Sequence, residues 1–210
     1  MSISAWNKNK SLGQKPPLTY EQVQAIKTTL VQAGTARDRA LFSLAIDSSL
    51  RSHDLLRLRV ADVMAAGEVL DVIRVKPTKT KDTTGESVIF EPIPYTRQLL
   101  KELIEAEDKY PQDYLFTRAK APRLLSAPKT HLSERAYQNL VKRWVGFIAL
   151  NSELYGTHSL RRTRPAYIYH KTKNLRACQR ILGHSKITTT QEYLGIGHAE
   201  TLEVSRQWQM

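Results

Sequence analysis

Apolar positions recur along this chain at helical spacing, then at strand spacing, then at helical spacing again. Thr19 and Gln22 have the form of a capping box, and Val23, Ile26, Leu30 and Val31 follow on one helical face. Gly34 closes that helix, and a second begins near Thr35 with Ala40, Leu41, Leu44 and Ala45 toward the core. Ser52 is placed to cap a short third helix whose Leu55, Leu56 and Leu58 pack inward. From Glu68 the period changes: Val69, Leu70, Val72, Ile73 and Val75 form one β-rich run, and Ser87 to Phe90 form another. The polar stretch between them predicts a β-hairpin with a mobile tip carrying Lys76, Lys79 and Lys81.

Helical spacing returns from Tyr95 to about Lys109, with Leu99, Leu100, Leu103 and Ile104 inward and Glu102, Glu105, Glu107 and Asp108 outward. Residues 110–130 read as a Pro-rich connection. Ser133 then caps a helix carrying Ala136, Tyr137, Leu140, Val141, Trp144 and Ile148, with Arg135, Lys142 and Arg143 as a basic edge fit to lie along a groove. Helical stretches follow at 159–172 and 174–182, with Asn174 as cap, Gly183 as stop and Pro165 as an expected kink. Thr189 and Glu192 make a second capping-box pattern, which places Tyr193 in the first turn of a short, weak helix. A last helix runs roughly from His198 to Gln207 and ends at Trp208. The fold class expected is mainly α with a small antiparallel β-sheet (α+β). Residues 1–17 form a flexible basic arm, and 18–210 a single domain without internal repeats.

Composition adds a partner. The 210 residues are 41% apolar and 25% charged, which is globular, but the net charge of +12 and pI near 9.9 favour nucleic acid or another anionic surface. A single cysteine, Cys178, excludes an internal disulfide framework. No apolar run approaches the ~18 residues of a membrane span, and the first residues lack an apolar signal core. These features predict a soluble cytoplasmic protein with no membrane partner.

The charge concentrates near the end of the chain. Between Thr157 and Lys186 there are eight Lys or Arg residues and no Asp or Glu. Within and just after this stretch stand His158 and Arg161, His184 after Gly183, and Tyr193 nine residues later. Arg51 sits at the entrance of the third helix, where Asp54 can pair with it. Two arginines clamp the non-bridging oxygens of one phosphate by charge-assisted bonds. Two histidines supply hydrogen bonds and proton transfer, and a tyrosine hydroxyl becomes a nucleophile when cations and a base adjoin it. A lysine on a hairpin tip reaches a leaving oxygen. The blander readings are a core tyrosine, a histidine that satisfies helix-end carbonyls, and lysines that serve solubility.

Arg51 with Asp54, the His158–Arg161 pair, the Leu182-Gly183-His184 box and Tyr193 together resemble the signature boxes of the tyrosine recombinase (phage integrase) family. The resemblance covers nearly the whole chain from about residue 18. It implies the catalytic-domain fold of that family, with Tyr193 as nucleophile and Arg51, Lys79, His158, Arg161 and His184 as its partners. Lys81 is the second candidate for the hairpin lysine. The implied reaction is site-specific DNA recombination through a 3′-phosphotyrosyl link, with no metal, cofactor or ATP. Partners implied are double-stranded DNA, further copies of the chain (dimer to tetramer on DNA) and accessory DNA-bending proteins. Departures are Asp54 where many members carry Glu, and the Arg164-Pro165 pair. Another is the basic arm in place of an N-terminal DNA-clamping domain, a trait similar to the short fimbrial phase-variation invertases. Two other readings are a type IB topoisomerase-like relaxing enzyme and a non-catalytic DNA-binding regulator on the same scaffold.

Overall fold

The computed structural model describes residues 14–78, 87–118 and 130–196, together with Arg206. Lys79, Lys81 and Trp208 lie outside the described residues; of the last expected helix only Arg206 is described, and it is helical. The first four helices are α1 (Tyr20–Ala33), α2 (Ala36–Ser48), α3 (Ser52–Leu56) and α4 (Val60–Val63). Four short strands follow: β1 (Met64–Ala65), β2 (Glu68–Val69), β3 (Ile73–Val75) and β4 (Val88–Phe90). The chain continues through α5 (Pro94–Ala106), α6 (Glu134–Gly146), α7 (Thr157–Thr172), α8 (Leu175–Leu182) and α9 (Ile187–Leu194). The mainly helical fold with small antiparallel sheets is the class the sequence predicts.

Helix α2 is the centre. Every residue from Ala40 to Ser48 is buried, so it is covered on all sides, chiefly by α5 and α7. Trp144 of α6 meets Phe42 of α2 edge-on, with ring centroids 5.6 Å apart, a geometry worth about 0.5–1.5 kcal/mol beyond area burial. Three of the expected caps form. The Gln22 N–H donates to Thr19 Oγ1 (3.2 Å) while the Thr19 N–H donates to Gln22 Oε1 (2.9 Å), and Ser133 and Asn174 cap α6 and α8. Val31 falls at the edge of the α1 stripe and stays 54% exposed, unlike Val23, Ile26 and Leu30.

Two expectations about local structure are corrected. The β-rich run from Val69 to Val75 is divided between two hairpins: Ala66 and Gly67 (φ 50° and 80°) make a tight turn that pairs β1 with β2, and β2 ends at Val69. The chain then bends and starts again, so that β3 pairs antiparallel with β4, Ile73 opposite Phe90 and Val75 opposite Val88. Helix α7 runs from Thr157 to Thr172 with the buried Pro165 inside it, where the sequence places a helix. Finally, α9 begins at Ile187 with no side-chain cap, so Tyr193 lies in its last turn. The Thr189–Glu192 box does not form; the helix starts earlier, as soon as the chain leaves the Gly183 turn, and buries Thr190.

Candidate active site

Arg51 is itself the N-cap of α3, in extended conformation, and no side chain caps that helix. Ser52, expected as the cap, instead donates to Glu134 Oε2 of α6 (3.0 Å). Asp54 does not pair with Arg51. It is buried, and its Oδ1 accepts the backbone N–H of Thr78 (3.0 Å), which fixes the residue before Lys79. The acid next to the first arginine thus anchors the hairpin that carries the lysines. Arg51, His53 and Asp54 share a cleft of about 180 Å³ with Thr157, His158 and Arg161 from the first turns of α7.

Arg161 is buried, with 4% exposure. Its Nη1 donates to the Ser49 carbonyl and its Nη2 to the Leu182 carbonyl, both at 2.7 Å. Ser49 is the left-handed C-cap of α2 and Leu182 the last residue of α8, so one guanidinium ties two helix ends to α7. Helix ends carry carbonyls without intrahelical donors, and a cation is favourable there. Burial lowers the Arg161 pKa to about 10, with Tyr193 opposing and Arg51 adding to the shift, so it stays charged at neutral pH. Two carbonyl bonds leave part of its five-donor fork for a ligand.

His184 follows Gly183, whose φ of +61° ends α8 in the left-handed region. A Cβ at Gly183 would also stand 2.7 Å from Val88 Cγ2 of β4, so only glycine admits this approach of α8 to the hairpin. His184 Nδ1 lies 3.1 Å from the Oγ1 of the fully buried Thr190. Burial, then Arg161 and Arg51, pull the His184 pKa down to about 4, so the ring is neutral at pH 7. His158 is likewise lowered, by burial first and then by Arg161, Arg162 and Arg51, with Glu134 opposing.

Tyr193 closes the group. Its hydroxyl is 3.5 Å from His158 Nδ1, its ring meets His184 edge-on at 5.3 Å, and the Arg161 guanidinium lies 5.8 Å from its centroid. Burial raises the phenol pKa, and the pull of Arg161, Arg162 and Arg51 does not overcome it. The cations do not ionise this tyrosine by themselves; a base has to take its proton. Five of the six residues read from the sequence, Arg51, His158, Arg161, His184 and Tyr193, therefore converge, while Lys79 lies outside the described residues. Among the described residues no group of three His, Cys, Asp or Glu is arranged to hold a metal ion.

A larger basic groove of about 800 Å³ runs from His184 between the β3–β4 hairpin and α8, and among the described residues it is lined by Arg74, Arg176 and Arg180 and by no acidic side chain. On α6 the predicted basic edge is partly spent internally: Lys142 pairs with Glu153, and Arg143 with the buried Asp38. Two contributors escaped the sequence reading. Thr190 looked like one of three equivalent threonines, and Arg162 like one more charge in a basic run. One signal was present: Arg161 and Arg162 follow Leu160 and precede Pro165 on the helix that carries His158, and Leu160, Arg161, Arg162 and Pro165 are all buried.

Residues 17–199 match the phage integrase family. The chain belongs to that family. It is 30% identical over 189 residues to the probable integrase/recombinase YoeC of Bacillus subtilis, covering 89% of this chain and 92% of that protein. It is 25% identical over 210 residues to the tyrosine recombinase XerH of Helicobacter pylori, but spans only 54% of it. Its enzyme class is that of the tyrosine recombinases. In fold it matches a XerH site-specific recombinase bound to its difH substrate in a pre-cleavage complex, with TM-score 0.68 and 23% identity, over 96% of this chain and 57% of that one. A XerA recombinase matches with TM-score 0.69 and 16% identity, over 99% and 68%. No described helix is long and apolar enough to cross a membrane.

Proposed function

We propose that this protein is a site-specific DNA recombinase that cuts and rejoins double-stranded DNA through a 3′-phosphotyrosyl intermediate, with Tyr193 as nucleophile. The observation that carries the reading is the Tyr193 hydroxyl 3.5 Å from His158 Nδ1, with the guanidinium of the buried Arg161, which has donors to spare, 5.8 Å from the Tyr193 ring centroid. His158 accepts the phenolic proton as the oxygen attacks phosphorus. Arg51 and Arg161 take up the negative charge that develops on the non-bridging oxygens. His184, oriented through Thr190, adds a hydrogen bond to the same phosphate. The bond to the 5′ oxygen breaks as that oxygen receives a proton from Lys79, carried on the hairpin that Asp54 anchors. Attack by the 5′-hydroxyl of another strand reverses these steps and releases Tyr193, so the phosphodiester energy is conserved and no nucleotide cofactor is consumed. Copies of the chain assembled on DNA supply that second strand.

A duplex nicked just beyond the cleavage position loses its short 5′ fragment and traps the covalent product. The wild-type chain is expected to form a protein–DNA adduct with its family's substrate type, and Tyr193→Phe to lose it by at least ~1000-fold while still binding DNA. Binding without any adduct in the wild type would favour the DNA-binding regulator instead.

A further inference from the structure

Arg162 has no part in the chemistry above, yet it is 6% exposed and touches the nucleophile directly. Its Nε donates to the backbone carbonyl of Tyr193 (2.6 Å), its Nη2 reaches the same oxygen, and its guanidinium lies 4.8 Å from the Tyr193 ring centroid. The rest of its fork goes elsewhere. Nη1 donates to the Lys15 carbonyl and Nη2 to the Gln14 side-chain oxygen. The segment that supplies these acceptors is itself seated on α7: the Leu18 N–H donates to Thr163 Oγ1 (3.1 Å), and Leu18 is buried.

The choice of carbonyl has a physical reason. Tyr193 lies in the last turn of α9, where carbonyls have no intrahelical donor. Gly195 (φ 72°) turns the chain away, and the N–H groups of Gly195 and Ile196 go to Gln191 and Glu192. Among the described residues no backbone N–H goes to the Tyr193 carbonyl, at the negative end of the helix, and a buried guanidinium from another helix bonds it. Residues 14 and 15, expected from the sequence to belong to a flexible arm, are the acceptors that hold the other side of the same fork.

We propose that Arg162 is a positioning residue for Tyr193, and that the segment before α1 acts on the nucleophile through it. Resting on Tyr193 as the nucleophile, this makes Gln14 and Lys15 part of the assembly of the active site. Their two acceptors fix the plane of the guanidinium, and that plane sets where the Tyr193 carbonyl, and with it the phenol, is held against His158.

The test uses full-length variants, with single-turnover cleavage of a nicked duplex at saturating protein and DNA affinity measured separately. Arg162→Gln is expected to slow adduct formation roughly 30-fold while the DNA Kd changes less than about threefold, because the residue is buried and its donors go to Tyr193, Lys15 and Gln14. Arg162→Lys, which keeps one donor for the Tyr193 carbonyl, is expected to recover part of the rate. Gln14→Ala alone is expected to slow cleavage about threefold, and not to slow an Arg162→Lys chain further, since the two residues act as a unit. Wild-type cleavage by Arg162→Gln, or effects of Gln14→Ala and Arg162→Lys that simply multiply, would overturn the proposal. If Arg162→Gln fails to fold, the Lys variant and the Gln14 pair decide it. A wild-type chain that forms no adduct at all would instead overturn the assignment of Tyr193, a different result from a reactive wild type with an equally reactive Arg162→Gln.

Discussion

Arg161 and Tyr193 face each other across 5.8 Å, but the protein holds them by different means. Arg161 stands on a sixteen-residue helix, is almost fully buried, and is bonded to the ends of α2 and α8. Tyr193 stands near the end of an eight-residue helix that has no side-chain N-cap, contains a β-branched run from Ile187 to Thr190, and buries only Thr190. The phosphate clamp is thus part of the core, and the nucleophile is an attachment to it. The difference fits the reaction proposed. Charge stabilisation works best when its dipoles are fixed in advance. A nucleophile that must attack, remain esterified and then be displaced benefits from a lighter mooring.

The comparison is broken most severely at Arg161. Arg161→Ala is expected to lower cleavage on the order of 100- to 1000-fold and, unlike Tyr193→Phe, to destabilise the fold. It leaves the Ser49 and Leu182 carbonyls without their donor, at about 1–3 kcal/mol for each buried orphan, and denaturant unfolding reads the loss. On the other side, Thr190→Val removes the partner of His184 without emptying the space it fills. Cleavage should fall about tenfold with stability nearly unchanged, and Thr190→Ser should retain the rate. Gly183→Ala tests how the two regions are joined. The left-handed φ and the 2.7 Å approach to Val88 predict a loss of stability of about 1–3 kcal/mol, seen as a lower midpoint in denaturant.

The smallest effect is on pH dependence. The His184 pKa lies near 4 in the folded chain and near 6.5 unfolded, so the unfolded state binds more protons between those values. Its contribution to stability is complete above about pH 6.5 and is lost as the pH falls toward 4, where the folded ring also protonates. Stability measured from pH 7 to pH 4 should fall less steeply in His184→Asn than in the wild type.

Much of this was legible in the residues. Periodicity located α1, α2, α5, α6 and α8 closely, because each has an apolar stripe, and in all but α5, which starts on Pro94, a side chain also satisfies the first turn. The site residues were legible as types in order, and the fold brings five of them together. What the sequence concealed was partnership. Asp54 reads as the neighbour of Arg51, but its orientation depends on where β3 returns, and Thr78 claims it. Thr189 and Glu192 read as a cap, yet the burial of Thr190 against His184 sets the start of α9. The break in the β-rich run at Asp71 and Val72 was hidden because Leu70 and Val72 continue its apolar pattern while the chain bends there. Arg162 looked like surface charge because nothing local shows that the Tyr193 carbonyl, at the end of α9, lies across the interface.

Amide hydrogen exchange in the free protein tests the central contrast most directly. The account predicts that amides in the last turn of α9, Gln191 to Leu194, exchange at least ~100-fold faster than those of the buried turn Arg161 to Arg164 in α7. Equal protection of the two turns would contradict it, and would make the nucleophile as much a part of the core as the clamp it faces.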